Sequence, residues 1–217
     1  MWEQPVRTIC RSLIVTLLTV ACSRPDTAVS VFDSHIKATS DALASAAAAT
    51  YIYRMAETPE EQVMQKTMEL LRQRRASSAD LQAALAAERQ RRTKYIDDGD
   101  TSLEQARNVV VEQSRNANAI RDDETRTAAR KIVAHHEEQL RLCSTILRAQ
   151  RTRSSFTEDF LQAVIDGRRI SMNDQLAKAD GESERARARL EELLNSEELL
   201  VAEFRGTKDR RSHAAFW

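Results

Sequence analysis

Apolar side chains recur every three or four residues through most of the chain after residue 31, the spacing that places them on one face of an α-helix. One stretch runs through Leu103, Ala106, Val110, Gln113, Ala117 and Ile120, and a second through Ala129, Ile132, His136, Leu140, Cys143 and Leu147. Such alternating spacings are typical of a coiled-coil seam, here a modest one because several members are small or polar. The pattern predicts an all-α fold, an elongated antiparallel helical bundle or coiled-coil hairpin of about four helices.

The first two helices are predicted from residues that begin or interrupt helices. A first helix is expected over about 32–57, and a second over 59–95, with Thr58 as its N-cap and Pro59 at its first position. The run Asp97-Asp98-Gly99-Asp100 combines three carboxylates with a glycine, and it predicts a turn between helices. A calcium loop is not expected there, because the 12-residue ligand pattern of such loops is absent.

The second half of the chain predicts two longer helices. A third helix is expected over 101–151 and a fourth over 155–205, each opened by a capping-box sequence. Gly167 and Gly181 lie inside the fourth helix. One possibility is that the helix runs through both glycines, each of which lowers its stability by about 1 kcal/mol relative to alanine. The other is that the helix bends at one of them. Together the helices are expected to form one domain over 32–217 with a short C-terminal tail.

The first 22 residues depart from this helical pattern. Arg7 and Arg11 precede an apolar stretch over 12–22, which is the order found in secretory signal peptides. As a helix that stretch would be about 16 Å long, whereas a membrane span needs roughly 20 apolar residues. Residues 1–21 are therefore predicted to be a signal peptide rather than a permanent span.

The run Leu18-Thr19-Val20-Ala21-Cys22 resembles the lipobox of bacterial lipoproteins, with threonine where that family prefers leucine. The resemblance implies cleavage before Cys22 and attachment of diacylglycerol and a further acyl chain, such as palmitate, to that cysteine. Residues 22–31 would then be the lipidated cysteine and a tether. Ser23, rather than aspartate, after the cysteine implies the outer membrane, with the protein facing the periplasm. The alternative is an ordinary signal peptide cleaved at about the same place, which would release a soluble periplasmic protein.

Composition narrows the classes of function. The chain has 33 basic and 33 acidic residues, so its formal charge is zero and it has no general attraction for nucleic-acid phosphates. Aromatic residues make up 5%, and the four glycines lack the spacing of a phosphate-binding or dinucleotide-binding loop. No Gly-x-Ser-x-Gly nucleophile sequence is present. We therefore predict no enzyme activity, no cofactor and no nucleic-acid partner.

The densest set of possible metal ligands is His135-His136-Glu137-Glu138. Neighbouring residues on a helix point about 100° apart, so the two histidines cannot both bind one ion without ligands from elsewhere. Known helical metal motifs such as His-Glu-x-x-His are absent. His135 and His136 are weak metal candidates, and the favoured interpretation is a buried or interfacial pair. Cys143 is interpreted as a buried apolar residue, with a redox or intermolecular role as the alternative.

Three basic clusters occur, at 72–75, 89–92 and 185–189, and they could bind lipid head groups, nucleic acid or an acidic partner. Nearby acidic residues and scarce aromatics favour a simpler interpretation as solvated helix faces. The terminal Phe216-Trp217 is expected to dock on the bundle, or to be a peptide ligand for another protein.

These observations predict the cellular location and the fold of the protein, but they do not identify a chemical activity. The leading hypothesis is a membrane-anchored envelope lipoprotein that serves as a helical interaction or scaffold element in an export, conjugation or efflux assembly. Its partners would be the membrane, through acylated Cys22, and envelope proteins or further copies of the chain, through helix faces. The alternative hypothesis is a soluble periplasmic helical module that binds a small ligand or metal near His135 and His136.

Overall fold

The computed structural model describes residues 27–55, 58–168 and 174–214, and these residues form helices joined by short turns. The elements are α1 (Thr27–Met55), α2 (Pro59–Arg72), α3 (Ser78–Arg91), a π-helical segment (Arg92–Asp97), α4 (Asp98–Ala119), α5 (Asp123–Ile165) and α6 (Asp174–Ala214). The predicted all-α fold is confirmed. The signal peptide, residues 22–26 of the expected tether and Phe216-Trp217 lie outside the described residues. The tether expected over 22–31 is wrong in its second half, because α1 begins at Thr27 instead of about residue 32.

The turn predicted at 97–100 is wrong, because α3, the π-helical segment and α4 form one continuous helix. Gly99 is inside that helix and packs against α5: a Cβ atom there would lie only 2.8 Å from Cδ2 of Leu147. The glycine thus allows a close approach of two helices instead of a turn. Thr101 does not cap a new helix either, since its hydroxyl donates to the carbonyl of Asp97 at 3.2 Å.

Two further boundaries differ from prediction in the first half of the chain. The helix expected over 59–95 begins as predicted, where the Thr58 hydroxyl accepts the amide of Glu61 at 3.1 Å. It ends at Arg72, however, and a second helix starts at Ser78. The reason is a complete capping box in which Ser77 accepts the amide of Asp80 at 3.2 Å and donates its own amide to the Asp80 carboxylate at 2.9 Å.

The expected boundaries of the third and fourth helices are also wrong. The helix expected over 101–151 is interrupted at 120–122, where the Asp122 carboxylate caps α5 by accepting the amide of Thr125 at 2.9 Å. No break follows at 152–154, because α5 continues to Ile165. The real break falls at Gly167, which has a left-handed φ of +66°, whereas Gly181 lies within α6.

The long helices lie side by side around α5. Helices α4 and α5 run in opposite directions, because His136 of α5 contacts Gln113 and the earlier Arg130 contacts the later Asn118. Helices α5 and α6 are antiparallel too, because Lys131 contacts Glu203 and the later Arg153 contacts the earlier Asp180. Helix α1 packs on α4 and α5, and α2 packs on α3.

Three apolar clusters follow one another along this arrangement. A cluster at one end includes Phe32 and Phe204, whose rings meet edge to face at 5.0 Å. A central cluster includes Leu147 and Leu190, and a third cluster includes Met64 and Leu161. We call the end with Phe32 the proximal end and the end with the turns at 73–77 and 166–168 the distal end. Along the described residues, no helix combines the length and apolar character needed to cross a membrane.

Candidate functional site

His136 occupies a buried polar position between the apolar clusters. Its side chain has no exposed surface. Nδ1 lies 2.8 Å from Oε1 of Gln113 on α4. Nε2 lies 3.3 Å from Oε1 of Glu197 on α6, close enough for an ion pair but outside the alignment of a good hydrogen bond. The histidine that was a weak metal candidate is therefore a contact between three helices.

Glu197 extends this contact to α1. Its carboxylate accepts the hydroxyl of Ser40 on α1 and the Nε2 amide of Gln139 on α5, the latter at 3.1 Å. The His136 imidazole beside it, together with the bonds from Ser40 and Gln139, lowers the pKa of Glu197 to about 2 against the raising effect of its own burial. We call Ser40, Gln113, His136, Gln139 and Glu197 the polar layer. It joins all four long helices at one level.

The Gln113 amide has one paired and one unpaired end. Its Oε1 lies against Nδ1 of His136, whereas its Nε2 is buried without a hydrogen-bond partner. A 180° rotation of that amide would exchange the two atoms, so that Gln113 donates to Nδ1 instead of accepting from it. Either orientation keeps Nε2 of His136 beside the Glu197 carboxylate at 3.3 Å.

His135 lies next to the polar layer but does not complete a metal site with it. The rings of His135 and His136 are 6.1 Å apart at an angle of 59°. Burial lowers the pKa of His135, and the neighbouring His136 lowers it further. Glu138 turns away and pairs with Arg141 at 2.7 Å. In the part of the chain that the structure describes, no group of three or more His, Cys, Asp or Glu side chains is arranged to hold a metal ion.

Cys143 lies seven residues, or about two helical turns, after His136 on α5, and it belongs to the central apolar cluster. It is a free cysteine with no exposed surface. Burial raises the pKa of its thiol to about 12, so the reactive thiolate is strongly disfavoured. This environment agrees with the interpretation of Cys143 as a packing residue.

A groove toward the distal end was not predicted from the sequence. Helices α2 and α6 form its walls and α5 its floor, around a volume of about 790 Å³. Met64 and Met68 of α2, Phe156 of α5 and Leu176 of α6 supply its apolar surface. The signal in the sequence was indirect, because it depends on α2 turning back at 73–77 instead of continuing to residue 95.

Charged side chains of the groove are paired with each other. Nη1 of Arg91 lies 2.7 Å from Glu61 and 3.3 Å from Glu88, and Arg153 pairs with Asp180 at 2.7 Å. These pairs are satisfied within the chain. They leave the apolar residues as the part of the groove surface that gains most from being covered.

Gln150 on the floor of the groove has one satisfied and one unsatisfied group. Its Nε2 amide donates to the carbonyl of Thr50, which also accepts Nη2 of Arg187 at 3.1 Å. The Oε1 atom of Gln150 is buried without a hydrogen-bond partner, and the residue as a whole is 5% exposed. Because this oxygen has almost no accessible surface, its unmade hydrogen bond is a cost within the fold and not a contact open to a ligand.

The turn after α2 displays the first basic cluster. Arg74 has a left-handed φ of +57°, and the amides of Arg74 and Arg75 donate to the carbonyls of Leu71 and Leu70 at 3.0 and 2.8 Å. This is the Schellman arrangement of a helix C-terminus. The interpretation of residues 72–75 as a solvated helix face is wrong, since residues 73–75 form an exposed turn.

The other basic clusters agree only in part with solvated faces, since Arg89, Arg185 and Arg189 are exposed whereas Arg91 is buried. Arg92 and Arg89 pair with Glu158 at 3.2 and 3.5 Å, and Arg189 pairs with Glu192 at 2.6 Å. Their charges are thus largely balanced within the chain.

No family model matches the chain, and no curated protein or solved structure matches it. The inferences that follow therefore rest on the residues and their geometry.

Proposed function

We propose that the protein is a membrane-anchored envelope lipoprotein that works as a helical interaction element. The observation that carries this proposal is the position of α1, which begins at Thr27 shortly after Cys22. The connecting segment spans at most roughly 18 Å when fully extended. A lipid on Cys22 would therefore hold the proximal end of the bundle close to the membrane surface.

The same geometry supports an interaction role at the other end. Helix α5 has 43 residues and is about 65 Å long at the standard rise. A bundle anchored at its proximal end would carry the groove and the turn at 73–77 far from the lipid. Such an arrangement suits a protein that contacts a partner at a distance from its own membrane, in an assembly of envelope proteins.

The anchor is tested by the intact mass of the protein purified from its own envelope. We expect a chain that begins at Cys22 and carries the added mass of acyl groups, and we expect Cys22→Ala to abolish both the acyl mass and membrane fractionation. Cys143→Ala is the matched control, because it removes a cysteine outside the lipobox and should leave the acyl mass in place.

An unmodified chain that begins near residue 22 would overturn the anchored role. That result would favour the alternative of a soluble periplasmic binding module. Thermal melting with added zinc, nickel or copper would then test the region of His135 and His136, since a ligand that binds only the folded state raises the melting temperature.

A further inference from the structure

The exposed turn after α2 is continuous with the groove. Arg72 lines the distal end of the groove and also begins the turn that holds Arg74 and Arg75. We call Arg72, Arg74 and Arg75 the basic turn. Among the described residues, neither Arg74 nor Arg75 forms a salt bridge, and Arg72 has only a 3.5 Å contact with Glu69. The lining of the groove has five carboxylates and four arginines, Arg72 among them. Positive charge is therefore concentrated at its distal end, in the basic turn, where Arg74 and Arg75 are added to Arg72.

The backbone at Arg74 adds an independent observation. Helices α2 and α5 both end at the distal end in the same Schellman arrangement, and α5 has Gly167 at the left-handed position where α2 has Arg74. A residue with a Cβ atom is disfavoured in that conformation, and glycine is the usual solution. An arginine at this position holds its guanidinium beyond the end of the helix at a cost to the stability of the fold. Such a cost is expected where the side chain is used in binding.

The dimensions of the groove fit a helix. Its lining on α6 extends from Leu176 to Arg187, which is about 16 Å or three helical turns. Met68 is partly exposed and offers flexible, polarizable contacts that adapt to the side chains of a partner helix, whereas Met64 behind it is only 7% exposed.

We propose that the groove and the basic turn together bind an amphipathic helix of a partner protein that ends in acidic residues. Its apolar face lies on Met68, Phe156 and Leu176, which are all partly exposed, and its acidic end meets the basic turn. The inference rests on the proposed interaction role but not on the lipid at Cys22. A membrane surface is less suitable as the occupant, because a flat bilayer reaches the projecting turn without entering the recessed groove.

The test uses mature protein in phosphatidylcholine nanodiscs and two fluorescein-labelled helical peptides about three turns long. Both carry leucines at i, i+3, i+4 and i+7 with one serine between them, and one ends in three glutamates whereas the other ends in three lysines. Fluorescence anisotropy measures binding. We expect saturable binding of the acidic peptide and at least about tenfold weaker binding of the basic peptide, because the basic turn repels it.

Two substitutions locate the binding site. Arg74→Gly should weaken the acidic peptide about two- to fivefold while raising the melting temperature of the protein by about 2 °C, since one exposed charge pair is lost and a strained residue is removed. Met68→Glu should abolish binding by placing a charge in the apolar bed. The controls are Arg115→Ala, an exposed arginine on α4, and Leu199→Glu, an exposed position on α6; both should bind the acidic peptide normally.

Three results would overturn the inference. The first is the absence of saturable binding by the acidic peptide, and the second is equal binding of the two peptides. The third is co-sedimentation with phosphatidylglycerol vesicles that Arg74→Gly reduces and Met68→Glu leaves intact, which would assign the basic turn to a lipid surface. If peptide binding fails while Cys22 carries acyl groups, the membrane-anchored role stands and only the groove is misassigned.

Discussion

Replacing Glu197 with glutamine tests whether the polar layer stabilises the bundle through the carboxylate charge. The side chain is 16% exposed, and His136, Ser40 and Gln139 surround its oxygens. These partners hold the pKa of Glu197 at about 2, against an ordinary value of 4.5. At 1.36 kcal/mol per pKa unit, this difference corresponds to at most about 3 kcal/mol of folding free energy.

The sign of the pH dependence follows from the lowered pKa of Glu197. The stabilisation is fully present above the unfolded value of 4.5 and is lost as the pH falls through that value toward the folded value of about 2. Glutamine keeps the shape of the side chain but has no charge for His136. Glu197→Gln should therefore lower the free energy of unfolding by up to about 3 kcal/mol at pH 7, and the difference from the wild type should shrink as the pH approaches 2.

Urea unfolding followed by helical circular dichroism, at pH 7, 4.5 and 3, measures this difference. Glu198→Gln is the control, because the neighbouring carboxylate is exposed. Its unfolding free energy should stay within about 0.5 kcal/mol of the wild type at each pH. The reasoning is refuted if Glu197→Gln is as stable as the wild type at pH 7, or if its loss of stability is the same at all three pH values.

Three other features of the bundle give shorter predictions. Gly99→Ala should destabilise the protein by about 1–3 kcal/mol in thermal or urea unfolding, because its Cβ would press on Leu147, whereas Gly206→Ala, in open space on α6, should be neutral or stabilising by up to about 1 kcal/mol. Cys143 should react with a thiol reagent only after unfolding, and a rapid reaction of the native protein would contradict its burial. Ser77→Ala should cost about 1 kcal/mol by removing the N-cap of α3, which the same unfolding measurements would detect.

Periodicity predicted the all-α fold because helix formation depends on the spacing of apolar residues along each segment. It also placed Gln113 and His136 in the seams of their helices, and both are fully buried. Gln113 meets His136, and His136 in turn meets Glu197 on α6, far along the chain; no local spacing predicts these pairings. The polar layer therefore required the fold, although the presence of polar residues in apolar seams was the signal that such a layer exists.

Helix boundaries depend on tertiary contacts as well as on local signals. Asp97-Asp98-Gly99-Asp100 has the composition of a turn, but the packing of Gly99 on Leu147 keeps the segment helical. The sequence Ser77-Ser78-Ala79-Asp80 forms a capping box that divides the helix expected over 59–95. Capping sequences thus occur both where a helix begins and inside helices that continue, and the packing of the helices determines which of them are used.

The polar layer and the groove are connected through α6. Helix α6 forms one wall of the groove, and at the polar layer Glu197 joins it to α1 and α5 directly and to α4 through His136. The opposite wall is α2, which packs on α3 and is joined to it by the pair of Arg91 with Glu61. Met64 of α2 also lies in the same buried apolar cluster as Leu161 of α5, the helix that forms the floor. Both walls are therefore tied to buried parts of the fold, one through the polar layer and the other through the third apolar cluster. A groove held in this way is formed before a partner arrives, so a partner helix would bind it with little ordering cost on the side of this protein.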